Sequence, residues 1–143
     1  MIEVFSQGTD KGKKEAYSWL RPRAYLGPYH DDFSYITFKE EEKILAVLLF
    51  SDYDGHNIFV HLAIEDPRVC QRRYIKLMFE YCFLQAKCER MTATCVNGYE
   101  RNEKLLAKTG FVKEGVIRSM MKTANGHVDA ALYGMLKGEC RWV

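Results

Sequence analysis

Apolar residues along this chain follow two spacings, and the change from one to the other lays out its elements. Phe33, Tyr35, Ile36 and Phe38 form a β-favouring stretch, and Ile44 to Phe50 (ILAVLLF) is the short, continuous apolar run of a buried strand. The charged run Lys39-Glu40-Glu41-Glu42-Lys43 between them predicts a solvated turn and an antiparallel hairpin. A turn at Asp54-Gly55 precedes a strand over Asn57 to Ile64 (NIFVHLAI), which Asp66-Pro67 breaks. From Gln71 to about Lys87 the apolar positions Tyr74, Ile75, Leu77, Met78, Tyr81, Cys82 and Leu84 recur with helical spacing. Met91 to Val96 predicts a strand, and Glu103 to Lys108 a short helix closed by Gly110, a favoured residue just past a helix end. Phe111 to Ile117 and Val128 to Leu136 predict two last strands, paired as a hairpin around the Asn125-Gly126 turn. The stretch up to about Tyr29 is less patterned. A helical segment is expected over Lys13 to Leu20, stopped near Pro22, with a turn at Gly27-Pro28.

The strand at Asn57–Ile64, the long helix and the strand at Met91–Val96 make one crossover unit. Such a unit joins parallel strands with right-handed connection. The pattern therefore predicts an α+β fold of layered αβα type over residues 1–143 as a single domain. Its sheet is mixed and mostly antiparallel, with a central β-α-β crossover and helices on both faces.

Composition narrows the function classes. A chain of 143 residues buries roughly two-thirds of its unfolded surface on folding, enough for a core. The net charge of +2 argues against nucleic acid or an anionic membrane as the main partner, although a local basic patch can still meet an anionic ligand. The five cysteines, Cys70, Cys82, Cys88, Cys95 and Cys140, are odd in number and contain no CxxC pair, so reduced thiols and no metal site are expected. No apolar run approaches the roughly 20 residues that cross a bilayer, and the N-terminus lacks a signal-peptide core. A cytoplasmic location is the expectation.

Specific resemblance begins in the back half. Cys88 to Val96 leads through Asn97–Asn102 into Lys104-Leu105-Leu106-Ala107-Lys108-Thr109-Gly110-Phe111; Glu114-Gly115-Val116-Ile117-Arg118 follows, and Tyr133-Gly134-Met135-Leu136 through Glu139-Cys140-Arg141-Trp142 closes the chain. This series resembles the pattern of the GNAT superfamily of N-acetyltransferases: strand, short helix, xGF, EGxxR, final strand. The ending YGMLKGECRW is similar to that of a subgroup of small acetyltransferases from bacteriophages and prophages, which would place the protein in a host cytoplasm. The resemblance covers roughly Ile44 to Val143. It implies transfer of acetyl from acetyl-CoA, as cosubstrate, to an amine by direct attack in a ternary complex. The amine, a small molecule or a protein, is not legible. Dimers are common among such relatives, so a homodimer is an open expectation.

What the resemblance implies about the site can be stated residue by residue. In this superfamily the strand corresponding to Asn57–Ile64 opens at its end, at Ile64, and the turn into the next helix offers backbone N–H groups to the cofactor pyrophosphate. A helix N-terminus suits an anion because its N–H groups are free and its dipole end is positive. That turn is here Arg68-Val69-Cys70-Gln71-Arg72-Arg73. The pantetheine arm would lie between Asn57–Ile64 and Met91–Val96. The superfamily turn is usually glycine-rich and this one has no glycine, so Arg68, Arg72 and Arg73 are expected to contribute charge-assisted contacts. The position where many relatives carry asparagine falls on Tyr99, with Asn97 and Asn102 nearby as cofactor contacts. The usual thiolate-protonating tyrosine falls on Leu106.

Acyl transfer to an amine needs a base, donors for the thioester carbonyl and a fate for the thiolate. Glu65 and Asp66 stand just past a strand end, where they read as a base or water-positioning carboxylate, or as a cap of the next helix or solvent-facing groups. His61 shares a strand face with Phe59 and Ala63, opposite Val60, Leu62 and Ile64. It reads either as a base near neutral pH or as a partly buried, satisfied histidine. Tyr99 and Tyr133 are candidate acids or ordinary packing residues. Cys70, without an evident histidine partner, reads as structural. The missing glycines, Leu106 and Tyr99 keep a second reading open, that of a catalytically degenerate GNAT-fold protein serving as a binding or structural module.

Overall fold

A computed structural model describes residues 1–143. In chain order the elements are β1 (Glu3–Phe5), α1 (Asp10–Ala24), β2 (Phe33–Glu40), β3 (Lys43–Ser51), β4 (Asn57–Ile64), α2 (Arg72–Phe79), β5 (Arg90–Val96), α3 (Glu100–Thr109), β6 (Val112–Thr123) and β7 (Gly126–Leu136). The strands form one seven-stranded sheet in the order β1-β2-β3-β4-β5-β7-β6. Every pairing is antiparallel except β4 with β5, the pair joined through α2. The mixed, layered α+β architecture expected from the pattern is present.

The two faces carry separate cores. On one, Ala16, Tyr17 and Leu20 of α1 bury against Phe33, Tyr35, Val47 and Leu49. On the other, α2 and α3 cover a larger cluster that includes Phe38, Leu48, Phe50, Val60, Phe79, Met91, Ala93 and Leu106. Alternation along β4 feeds both cores: Ile58 and Val60 turn toward α2, while the ring of His61 turns toward α1. No helix is long and apolar enough to cross a membrane.

Four differences from the sequence expectation have physical causes. The first helix begins at Asp10 and runs through Pro22 to Ala24. Thr9 caps its start, its Oγ accepting from Gly12 N at 3.1 Å. Pro22 falls in the last turn, where the lost N–H affects few helical bonds. There Leu20 is buried and Arg23 packs over Trp19 at 4.0 Å, holding the turn. The edge strand β1 is three residues long and largely exposed, too short to leave a periodic signal. The helix over residues 71–87 is α-helical only to Phe79; Glu80–Gln85 is a π turn, closed by Ala86 N donating to Tyr81 O at 2.8 Å. That wider turn seats both Cys82 and Phe83 in the core. Finally, β6 extends to Thr123, beyond the predicted Ile117. Register shifts between Ile117 and Met121 interrupt its pairing with β7 and break the apolar alternation.

Candidate active site

The site begins where the sheet divides. β4 pairs with β5 from Asn57↔Arg90 to Val60↔Ala93 and no further. Beyond that point β5 stays with β7, from Thr94↔Leu132 to Val96↔Ala130, while β4 stays with β3, from Leu49↔His61 to Ala46↔Ile64. The two halves part, leaving a wedge between His61–Ile64 and Thr94–Val96. One backbone edge of β4 there lacks a partner strand. The paired end is cross-linked: Thr92 Oγ1 donates to Asn57 Oδ1 at 2.7 Å and accepts from Arg90 Nε at 3.0 Å, and the Arg90 guanidinium forms a two-pronged pair with Glu114. Gly134 permits this crossing, because a Cβ there would lie 2.6 Å from the Arg90 nitrogens.

His61 stands at the fork. It lines the wedge together with Leu62, Thr94, Asn102 and Leu106. It also lines a second cavity of about 210 Å³ on the α1 side, bounded by Tyr25, His30, Ser51, Asp52 and Met121. Thr94 likewise borders both. Ser51 Oγ donates its one proton to Asp52 Oδ2 at 2.9 Å and lies 3.1 Å from His61 Nε2. The hydroxyl therefore accepts from Nε2–H, which leaves Nδ1 with the free lone pair. Burial holds the His61 pKa below its ordinary value, with Asp52 pulling upward and His30 downward. The ring is accordingly neutral at pH 7, with a carboxylate behind it through Ser51.

The carboxylates at the end of β4 are otherwise engaged. Glu65 Oε2 accepts from Arg23 Nε at 2.9 Å, joining β4 to the end of α1. Asp66 caps the short helical turn Pro67–Cys70, accepting from Arg68 N at 3.0 Å. The Arg68 side chain and N–H together lower its pKa to about 2, too low for a base at neutral pH.

In the turn before α2 the three arginines point to different partners. Arg68 hydrogen-bonds Glu40 twice, each at 2.9 Å, and Asp66 at 2.8 Å. Arg72 lies over the Trp142 ring at 5.2 Å and Arg73 over Tyr74 at 4.8 Å. Val69 is buried against Tyr74 and Ile75, whereas Cys70 is exposed. At Gln71, the residue before α2, no side chain caps the helix, so its first N–H groups have no side-chain partner.

On the opposite wall, Tyr99 is the residue before α3 and is half-exposed, with no cap bond from its side chain. Asn97 Oδ1 accepts from Lys113 Nζ at 3.1 Å, which turns it toward β6, while Asn102 lines the wedge. Tyr133 donates to Glu103 Oε1 at 2.6 Å. Burial and that carboxylate push the Tyr133 hydroxyl up to about 12, so it is a poor proton donor. Glu103 is held down at about 2 by Tyr133, Lys113 and Gly98 N–H. Leu106 is buried at the wedge wall and supplies no proton.

Sequence reasoning missed Ser51, Asp52 and Arg101. Ser51 and Asp52 end a strand read only as an apolar run, and their link to His61 depends on the β3–β4 register. Arg101 is the second residue of α3, and its Nη2 reaches the Ile64 carbonyl at 3.5 Å across the wedge.

No protein-family model matches this chain. The SPβ-prophage-derived, uncharacterized N-acetyltransferase YokL of Bacillus subtilis is 24% identical over 114 residues, a match covering 76% of this chain. The chain spans 64% of that relative's length. Among solved structures, the ribosomal-protein-S5-alanine acetyltransferase of Vibrio fischeri superposes with a TM-score of 0.71 at 18% identity, covering 99% of this chain and 95% of that one. A spermidine N-acetyltransferase of Vibrio cholerae, solved with CoA and spermine, superposes with a TM-score of 0.74 at 11% identity and covers 96% of each chain. With its divided mixed sheet and near-complete superposition on these enzymes, the chain has the GNAT acetyltransferase fold.

Proposed function

We propose that this chain is an acetyl-CoA-dependent N-acetyltransferase whose 143 residues act as one GNAT domain. The observation that carries the reading is His61, neutral and half-buried, on the wall between two cavities. The wedge suits an extended pantetheine arm, because the open edge of β4 offers it backbone hydrogen bonds and Leu62, Leu105 and Leu106 offer an apolar lining. The uncapped N–H groups at the start of α2 suit the pyrophosphate. The cavity on the α1 side then receives the amine.

In the reaction, the amine nitrogen attacks the thioester carbonyl and loses a proton to His61 Nδ1. The C–S bond breaks, the amide forms and CoA leaves as the thiolate. The Ser51–Asp52 chain stabilises the imidazolium that forms, and that imidazolium is the nearest acid to return the proton to sulfur. Leu106 supplies no proton, and Tyr133 is held by Glu103.

Asp52, beside the α1-side cavity, favours a cationic amine, and the spermidine and ribosomal-protein-S5-alanine acetyltransferases with this fold make polyamines and ribosomal protein S5 the first acceptors to screen. The prophage-derived relative supports a phage or prophage source and action in a host cytoplasm.

The test is thiol release from acetyl-CoA across a panel of amines, preceded by melting with and without millimolar CoA. Specific binding must raise the melting temperature by mass action. An unchanged melting temperature would end the acetyltransferase reading and leave a partner-binding module in its place.

A further inference from the structure

The turn before α2 is the expected source of positive charge for the cofactor phosphates, yet its arginines are committed elsewhere. Arg68 satisfies Glu40 and Asp66 simultaneously, and displacing it would leave two carboxylates unpaired. Arg72 and Arg73 rest on aromatic faces. On the other wall, α3 places Arg101 opposite that turn. Arg101 has no carboxylate within ion-pair distance, unlike its neighbour Lys104, which lies 3.8 Å from Glu100. Its guanidinium spans from α3 to the last carbonyl of β4 at Ile64. Its charge also acts on the Cys70 thiol of the turn, opposing the upward push of burial there. Arg101 thus lies between the end of β4, the turn and α3, the three elements that meet at the open end of the wedge.

Building on the acetyl-CoA reading above, we infer that Arg101 is the cation that binds the phosphates of CoA, supplied by α3 in place of the arginines of the turn. A neutral carbonyl at 3.5 Å is a weak partner for a guanidinium, whereas a phosphate offers two oxygens to the planar fork. Phosphate binding would exchange the weak contact for a charge-assisted one and release the Ile64 carbonyl to the pantetheine arm. The same side chain would then govern both anchoring of the phosphates and access to the edge of β4. The absence of glycine from the turn fits this division of labour, since the phosphates need not descend onto its backbone alone.

Titration calorimetry with two probes tests the inference: CoA, and pantetheine, which keeps the arm and thiol but has no phosphates. Arg101→Ala should weaken CoA about tenfold or more and leave pantetheine unchanged or slightly tighter. Arg101→Lys should recover part of the loss and should keep the salt dependence of CoA binding, which Arg101→Ala should reduce. Arg68→Gln should bind CoA as the parent does. The inference is overturned if Arg101→Ala matches the parent for CoA, or if it weakens both probes equally, which would mark a change in wedge shape rather than loss of a phosphate contact. A parent protein that binds neither probe would instead remove the acetyl-CoA reading, and this inference with it. Arg101 is exposed on its helix, so thermal melts of the variants should match the parent and exclude misfolding.

Discussion

The two ends of the β4–β5 pair show how one strand pair serves two purposes. At the end near Asn57, side chains from three strands interlock: Asn57, Thr92, Arg90 and Glu114 join β4, β5 and β6 across the small Gly134 of β7. At the end near Ile64 no side chain joins β4 to β5, and a single guanidinium from α3 crosses the gap. Only the first end is stabilised by direct strand pairing. At the second, β4 keeps only β3 and β5 keeps only β7 as a paired neighbour. The cross-linked end lets the open one exist without the sheet coming apart. His61 stands one residue past the last paired position, where the opening begins.

The comparison can be broken at either end, and the largest effect belongs to the open one. His61→Gln should lower kcat by about 10²- to 10⁴-fold while leaving CoA affinity intact, measured by steady-state kinetics and calorimetry. An unchanged kcat would remove His61 from the chemistry. The pH profile sharpens this. Because burial lowers the folded pKa of His61, kcat/KM should hold at neutral pH and fall on acidification with a midpoint below about 6.5, and the His61 limb should vanish in the variant. The same shift makes the unfolded chain bind more protons than the native one in that window. The contribution of His61 to stability is therefore complete above about 6.5 and lost as the pH falls through the lowered folded value.

At the closed end the expected effects are on stability. Asn57→Ala removes the acceptor for the buried Thr92 hydroxyl and should cost about 1–3 kcal/mol in denaturant unfolding. Gly134→Ala places a Cβ against the Arg90 and Glu114 tips; these are flexible ends that can move aside, so a loss of about 1 kcal/mol is expected in the same measurement. Either substitution leaving unfolding unchanged would show that the cross-links do not hold the closed end. The smallest effect is reserved for Arg68→Gln, for which CoA affinity should change less than about twofold, since its guanidinium is already bound by Glu40 and Asp66.

Much of this architecture was legible without coordinates. The unbroken ILAVLLF run and the helical spacing after Gln71 reflect burial, and burial leaves a local period in the sequence. Gly110 and the Asn125-Gly126 turn reflect backbone conformations that few residues adopt, and these are local as well; Gly110 indeed has φ 110°. The π turn after Phe79 was not legible, because its apolar residues keep a helical spacing while its hydrogen bonds slip by one residue.

The site separates along the same line. His61 could be placed on its strand face from alternation alone, and so could the position of the turn before α2. Sequence could not supply His61 with its partners: Ser51 and Asp52 lie ten and nine residues away, and the strand register between β3 and β4 brings them together. Three arginines in one turn read as a clamp; folding brings Glu40 to Arg68 and Trp142 to Arg72, neighbours that the sequence does not name. The sequence alone determined most of the elements, their order and the two-faced burial of β4, because each depends on neighbours within a few positions. Tertiary structure alone decided where the sheet divides, which histidine nitrogen is free and which arginine reaches across the wedge, because each depends on groups that only folding brings within a few ångströms.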